Sequence, residues 1–219
     1  RPPVMRQYDA SEVARLFPDY VQDEQCLILL VHEGPASRVD AEILAVESIM
    51  AKLGLNPADA AAAEGWMGHR NNVPEWGDLL EQGLIADTIE VSGTWSQIDA
   101  IYDDVVAALK TVPDCVNASA HSSHVYRSGI NLYFTFACMP EDASVMGDRY
   151  LESWDRALTA TAEAGGGIAH HHGSGRLRRD YLHHDLGDNG IALLRKLKQA
   201  IDPQCILNPG NLLPAKDTD

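Results

Sequence analysis

The stretches CVNASAHSSHVY at 115–126 and INLYFTFAC at 130–138 are both rich in β-branched and aromatic residues, and only Arg127-Ser128-Gly129 separates them. Two such runs joined by a short glycine-containing connection read as a β-hairpin, which commits the chain to an antiparallel strand pair. In the second run, alternation sets Leu132, Phe134 and Phe136 on one face and Asn131, Tyr133 and Thr135 on the other. The phenylalanines belong to a core, so Tyr133 turns toward a cleft or toward water. With a four-residue loop at 127–130, Tyr126 pairs with Asn131 and His124 falls opposite Tyr133, with Cβ atoms about 5 Å apart. An imidazole beside a phenol is either a surface contact or part of a site.

Around the hairpin, periodicity predicts the remaining elements. CLILLVH at 26–32 is apolar on both faces and reads as a central strand buried on each side. Pro35 and Ser37 open a helix over 36–53 with an apolar stripe of Val39, Ile43, Val46, Ile49, Met50 and Leu53, and Gly54 stops it. Short helices interrupted at Pro74 and Gly77 follow over 66–82, then a strand at 85–91 and a helix over 98–109. A long helix over 142–164 runs into Gly165-Gly166-Gly167. A strand GIAHH at 167–171, a Gly-Ser-Gly turn and two short helices at 176–186 and 190–200 complete the pattern, with Asp202-Pro203 closing the last. The expected class is α+β: a mixed, largely antiparallel sheet with helices covering one face, plus a C-terminal helical segment.

Composition limits the partners. The 219 residues, 45% hydrophobic and 22% charged, suffice for one large domain or two small ones. A formal net charge of −15 argues against nucleic acid and anionic membrane surfaces, which demand clustered positive charge. The longest apolar run, Cys26 to Val31, is far short of the roughly 20 residues a transmembrane helix needs, and no charged-then-apolar leader opens the chain; a cytoplasmic location is expected. The four cysteines are scattered without a CxxC and read as free thiols. The Asn117-Ala118-Ser119 triplet reads as a chance match to a glycosylation acceptor. Opening on Arg1, the sequence reads as part of a longer gene product.

The segment GGGIAHHHGSGRLRRDYL at 165–182 carries the densest chemistry. On a strand, His170 and His172 share a face while His171 looks the other way. Three consecutive histidines supply a tetrahedral zinc site badly, and although His183 and His184 could complete one, no HExxH or CxxC supports it; no metal is expected. Gly173-Ser174-Gly175 lets backbone N–H groups face a ligand, and Ser174 or Gly175 can start the next helix. Arg176 and Arg179, with Arg178 between them, suit a small anionic ligand such as a carboxylate or phosphate. No GxGxxG and no GxxxxGK[ST] occurs.

The stretches SHVYRSGINLYFTF at 123–136, HHHGSGRLRRDYL at 170–182 and IDPQCILNPGNLLP at 201–214, supported by DTIEVSGTW at 87–95, carry a likeness over nearly the whole chain. In these the chain resembles the C-terminal portion of FAD-linked oxidases of the vanillyl-alcohol-oxidase type, most of all the alkyldihydroxyacetonephosphate synthase branch. The closing LNPGNLLP is shared with flavin-dependent D-lactate dehydrogenases and glycolate oxidases. The resemblance implies a cap or substrate domain, 1–164, followed by a segment 165–219 that returns toward an N-terminal FAD-binding domain of the same gene product, which holds most of the cofactor. It places the active-site tyrosine on Tyr133 and the essential histidine triplet on His170, His171 and His172. His171 and Asn208 would contact the flavin, and Ser174, Arg176, Arg179, His124 and Arg70 would hold a small anionic substrate. Two departures stand out: Arg176 replaces the family's lysine, and no basic residue lies between Val73 and Gly83.

The mechanism implied uses the tyrosine and histidines as proton-transfer groups beside the flavin. A phenol, with a reference pKa of about 10, needs neighbouring positive charge to act as a base near neutrality. The alternatives are an FAD-linked D-2-hydroxyacid dehydrogenase and, from another class, a non-enzymatic metal-binding or interaction module. The segment alone is expected to be inactive and to hold FAD weakly or not at all. A homodimer is left open.

Overall fold

The computed structural model describes residues 30–55, 61–72 and 75–213. The chain forms two compact units, Arg1–Glu75 and Trp76–Asp219; the expected 164/165 division falls within the second. Among the described residues no helix is long and apolar enough to cross a membrane.

In the first unit, α1 (Ala36–Leu53) has the expected bounds and ends where Gly54 adopts φ +69°, with Leu55 N–H returning to the Met50 carbonyl. Its apolar stripe buries no residue. The expected buried strand at 26–32 is corrected where it is described: Leu30 and Val31 lie outside any strand and are about half exposed, 53% and 46%. Residues 26–29 lie outside the described residues. The nine-residue α2 (Ala61–His69) follows.

The second unit contains α3 (Trp76–Glu81), within which Gly77 sits without interrupting it; Pro74 lies outside the described residues. Then come β1 (Ile85–Thr94), α4 (Ile98–Lys110), β2 (Cys115–His121), β3 (Gly129–Cys138), α5 (Met146–Glu163) and α6 (Leu182–Ile201). The three strands form one antiparallel sheet in the order β1-β3-β2, which establishes the α+β class. Alternation divides it cleanly. Ile89, Val91, Leu132, Phe134 and Phe136 point to the core. There they meet Ile101, Val105 and Leu109, one turn apart on α4, and Trp154, Ala157 and Leu158 on α5. Burying each such large apolar side chain is worth about 1.5–3 kcal/mol, so this face holds the sheet to its helices.

Three local expectations fail for identifiable reasons. First, β2 leaves the ladder at His121, which pairs with Tyr133, and beyond it only a Val125–Ile130 bridge remains. His124 is therefore not opposite Tyr133. The buried Asn131 replaces ladder bonds with its side chain: Oδ1 accepts from Ser122 Oγ (3.1 Å), Ser123 N (3.3 Å) and His124 N (2.9 Å), pulling 122–124 out of strand geometry. Second, 167–171 is not a strand. Only Gly167 bridges Ser92, because the Ile168 N–H turns to Asp185 Oδ1 (3.1 Å) and those of His171 and His172 to Glu90 instead of a neighbouring strand. Third, no helix starts at 174–176. Residues 175–177 form a turn, Arg179–Tyr181 is a short 3-10 turn, and α6 begins at Leu182. Gly187, with φ 64° and ψ 172°, breaks α6 into two helical pieces.

Candidate functional site

The face of the sheet turned away from α4 and α5 carries the candidate site. Register puts Glu90 of β1 and His121 of β2 on either side of Tyr133 of β3, so the three side chains form a row across the sheet. His121 stacks flat on Tyr133, with ring centroids 5.0 Å apart and planes within 5°. The segment after α5 crosses over this row. Gly167 exchanges two backbone hydrogen bonds with Ser92, at 2.8 and 3.0 Å. A Cβ there would stand 2.7 Å from Ser92 Oγ, so any larger residue would make the Ser92 hydroxyl turn aside.

The crossing delivers all three histidines to Glu90, which is fully buried. One carboxylate oxygen, Oε2, accepts the backbone N–H groups of His171 (2.9 Å) and His172 (3.1 Å). The other, Oε1, accepts from Asn131 Nδ2 (2.8 Å) and bonds His170 Nδ1 (3.0 Å), while His171 Nδ1 lies 2.6 Å away. Burial by itself would raise the Glu90 pKa. The hydrogen bonds from Asn131, the His171 N–H, His170 and the His172 N–H outweigh it and lower the pKa to about 2, so Glu90 is a carboxylate at neutral pH.

On the open side, Tyr133 OH and His171 Nε2 are 3.1 Å apart, a hydrogen bond whose donor depends on the ring tautomer. The His172 ring stands edge-on to Tyr133, with centroids 5.3 Å apart, and the His124 ring lies 4.7 Å from that of His171 and 5.5 Å from that of His170. Tyr133, His170, His171, His172 and His124 are thus gathered into one cluster, although His170 and His172 do not share a face of a strand as expected.

Arg178 secures the crossing from beneath. Buried against Trp154, with its guanidinium 4.7 Å from the ring centroid, it donates to the carbonyls of Ile168 (2.9 Å), Gly173 (3.2 Å) and Glu90 (3.1 Å). Burial draws its pKa below the ordinary guanidinium value, and the Glu90 and Asp87 charges act the other way.

The expected anion-binding residues divide. Arg176 is exposed. Arg179 is engaged by Asp180 Oδ1 (3.1 Å) and the Gly210 carbonyl (2.8 Å). Ser174 lies in the turn, its carbonyl accepting Arg178 N–H at 3.2 Å. With α6 starting at Leu182, Ser174 and Gly175 head no helix, and the expected helix N-terminus is absent from this turn. Asn208 is exposed in the closing turn with φ 45°. Arg70 belongs to the first unit, its guanidinium 5.5 Å from the centroid of the Trp66 ring.

Sequence reasoning missed Glu90, Asn131 and His121 as parts of the site, and it grouped Arg178 with the anion-binding arginines, whereas its guanidinium is spent on backbone carbonyls. Alternation in IADTIEV held a usable signal, because it sets one carboxylate on the face opposite Ile89 and Val91.

One ligand atom each from Glu90, His124, His170 and His171 lies within 4.8 Å of the others. The closest three stand 2.6–3.0 Å apart, whereas tetrahedral zinc with bonds of about 2.0–2.1 Å separates its ligands by roughly 3.3–3.4 Å. Asn131 Nδ2 also occupies Oε1 as a donor. The arrangement is that of a hydrogen-bonded cluster.

Comparison with known proteins gives the wider context. The family described as FAD linked oxidases, C-terminal domain, matches residues 6–212. An uncharacterized FAD-linked oxidoreductase of Escherichia coli, YgcU, is 30% identical over 98% of this chain and 46% of its own length. An alkyldihydroxyacetonephosphate synthase of Dictyostelium discoideum is 28% identical over 86% of this chain and 32% of its own, and the glycolate oxidase subunit GlcD of Bacillus subtilis 26% over 88% and 40%. The chain spans less than half the length of each of these relatives.

Proposed function

Because the chain belongs to the family of C-terminal domains of FAD-linked oxidases, we propose that it supplies the substrate-side wall of a flavin active site, with Tyr133 and His171 as the proton-handling pair. The observation that carries this reading is the 3.1 Å contact between Tyr133 OH and His171 Nε2, held over a buried carboxylate. The chemistry of the donor set fits a flavin brought by another segment. The His171 and His172 side chains are 46% and 37% exposed on one side, while their backbone N–H groups are fixed on the other. A bound flavin supplies two-electron redox chemistry at its ring. The chain's own residues orient a substrate and move a proton: Tyr133 takes it from the substrate as its own hydroxyl proton passes to His171 Nε2, with Glu90 as counter-charge to the imidazolium so formed.

Arg176 holds the anionic end of a small phosphate- or carboxylate-bearing substrate, and Asn208 in the closing turn lies toward the cofactor. The N-terminal FAD-binding domain is the partner segment. An alkyldihydroxyacetonephosphate synthase-like exchange is the first reading. A D-2-hydroxyacid dehydrogenase is the second, favoured by the arginine at 176 in place of the synthases' lysine and by the likeness to a glycolate oxidase subunit. In the full gene product, Tyr133→Phe lowers turnover about a hundredfold or more; near-normal turnover removes Tyr133 from the mechanism. Net flavin bleaching by a D-2-hydroxyacid in stopped flow selects the dehydrogenase, and acyl-for-alkyl exchange without net redox selects the synthase.

A further inference from the structure

We propose that Glu90 is the positioning residue of this site: its two carboxylate oxygens set the place of His171 against Tyr133, and the Tyr133–His171 pair works only while that clamp is intact. The role rests on the reading of Tyr133 and His171 given above.

The clamp divides its work between the two oxygens. Oε2 takes two consecutive backbone N–H groups, His171 and His172, and so fixes the main chain from which both rings project. Oε1 fixes what surrounds the His171 ring, through His170 Nδ1 and through Asn131, whose own Oδ1 holds the backbone of His124. The main chain of Glu90 is tied to the same segment from below, since Arg178 joins the Glu90 carbonyl to those of Ile168 and Gly173, just outside the triplet.

The partners of this carboxylate point to positioning. A fully buried carboxylate costs several kcal/mol to desolvate, yet no lysine or arginine side chain forms a salt bridge with it among the described residues; the ring nitrogens within 4.0 Å of it are those of the three histidines of the triplet. The site therefore bears a buried anion whose hydrogen bonds all go to the histidines and Asn131. Donors converge on both oxygens, so an amide at position 90 must turn its NH2 against N–H groups whichever way it is flipped.

The test uses the full gene product with bound flavin, in a double-mutant cycle of Glu90→Gln and Tyr133→Phe. Glu90→Gln is expected to lower kcat about thirtyfold with KM within about threefold, because a positioning loss acts on the reacting geometry. The double variant should be no slower than Tyr133→Phe alone by more than about threefold, because Glu90 acts through that pair. Glu90→Asp, which keeps the charge, should recover part of kcat. Unchanged kcat in Glu90→Gln, or losses that multiply in the double variant, overturns the proposal.

A measurement on the unaltered protein keeps the clamp testable if Glu90→Gln fails to fold. In histidine-selective 15N spectra, the His171 and His172 amide protons should shift together through one acid transition, that of the carboxylate they bond. The titratable groups around that carboxylate are His124, His170, His171, His172, Tyr133 and Arg178. Amides that do not share an acid transition overturn the clamp. Near-normal turnover of Tyr133→Phe with an intact shared transition instead sinks the functional reading and leaves the clamp standing.

Discussion

The two faces of the three-stranded sheet are organised by different forces. On one, Ile89, Val91, Phe134 and Phe136 pack against α4 and α5 through contacts that are individually weak and non-directional. On the other, Glu90 and Tyr133 meet the histidine segment, and Asn131 meets Glu90, through a few directional hydrogen bonds, several of them to a charged group. Loss on the first face should degrade stability in proportion to the volume removed, while loss on the second should disturb geometry and function out of proportion to its contribution to folding.

Predictions that probe this contrast run from large to small. Phe134→Ala removes a fully buried ring and should cost about 3–5 kcal/mol in urea denaturation, with kcat per folded molecule within about twofold, since the ring is on the opposite face from Tyr133. A large loss of kcat per folded molecule would break the separation of the faces. Acid sharpens it from the other side. The Glu90 carboxyl is lowered from 4.5 to about 2 on folding, so its stabilisation is fully present above about pH 4.5 and is lost as pH falls toward 2. That is on the order of 3 kcal/mol, read as the difference between the pH dependences of urea midpoints of the unaltered chain and of Glu90→Gln. A substitution variant that keeps the full acid slope would place that stability elsewhere. Arg176→Ala, on an exposed turn, should raise KM for an anionic substrate about three- to tenfold, about 1 kcal/mol, with kcat unchanged; initial-rate kinetics on the full gene product decide this.

How much of this was legible in the sequence follows the same division. Elements fixed by local periodicity were readable: α1 has the predicted bounds, α4 and α5 fall within a residue or a few of theirs, and the facing of Phe134 and Tyr133 follows from alternation alone. What depended on one side chain replacing a backbone partner was not. Asn131 diverts residues 122–124, shifting the partner of Tyr133 from His124 to His121, and Glu90 takes N–H groups that would otherwise pair in a strand at 171–172. The gathering of Tyr133 and the triplet into one side-chain cluster was legible because the resemblance rests on those motifs. Glu90 was not, since its partners at 170–172 lie some 80 positions away in the chain. Leu30 and Val31 failed for a different reason: apolar character on both faces suits a strand only when something covers both, and here they are half exposed.

The Arg178 brace has a consequence for how such a chain could diversify. Its guanidinium grips Gly173, and its own backbone closes on Ser174, so residues 174–177 form a short loop with both ends moored to the sheet. Changes of charge or size at Arg176 can be tried without disturbing the histidines upstream, so under the roles proposed above substrate preference can drift while the Tyr133–His171 pair is inherited intact.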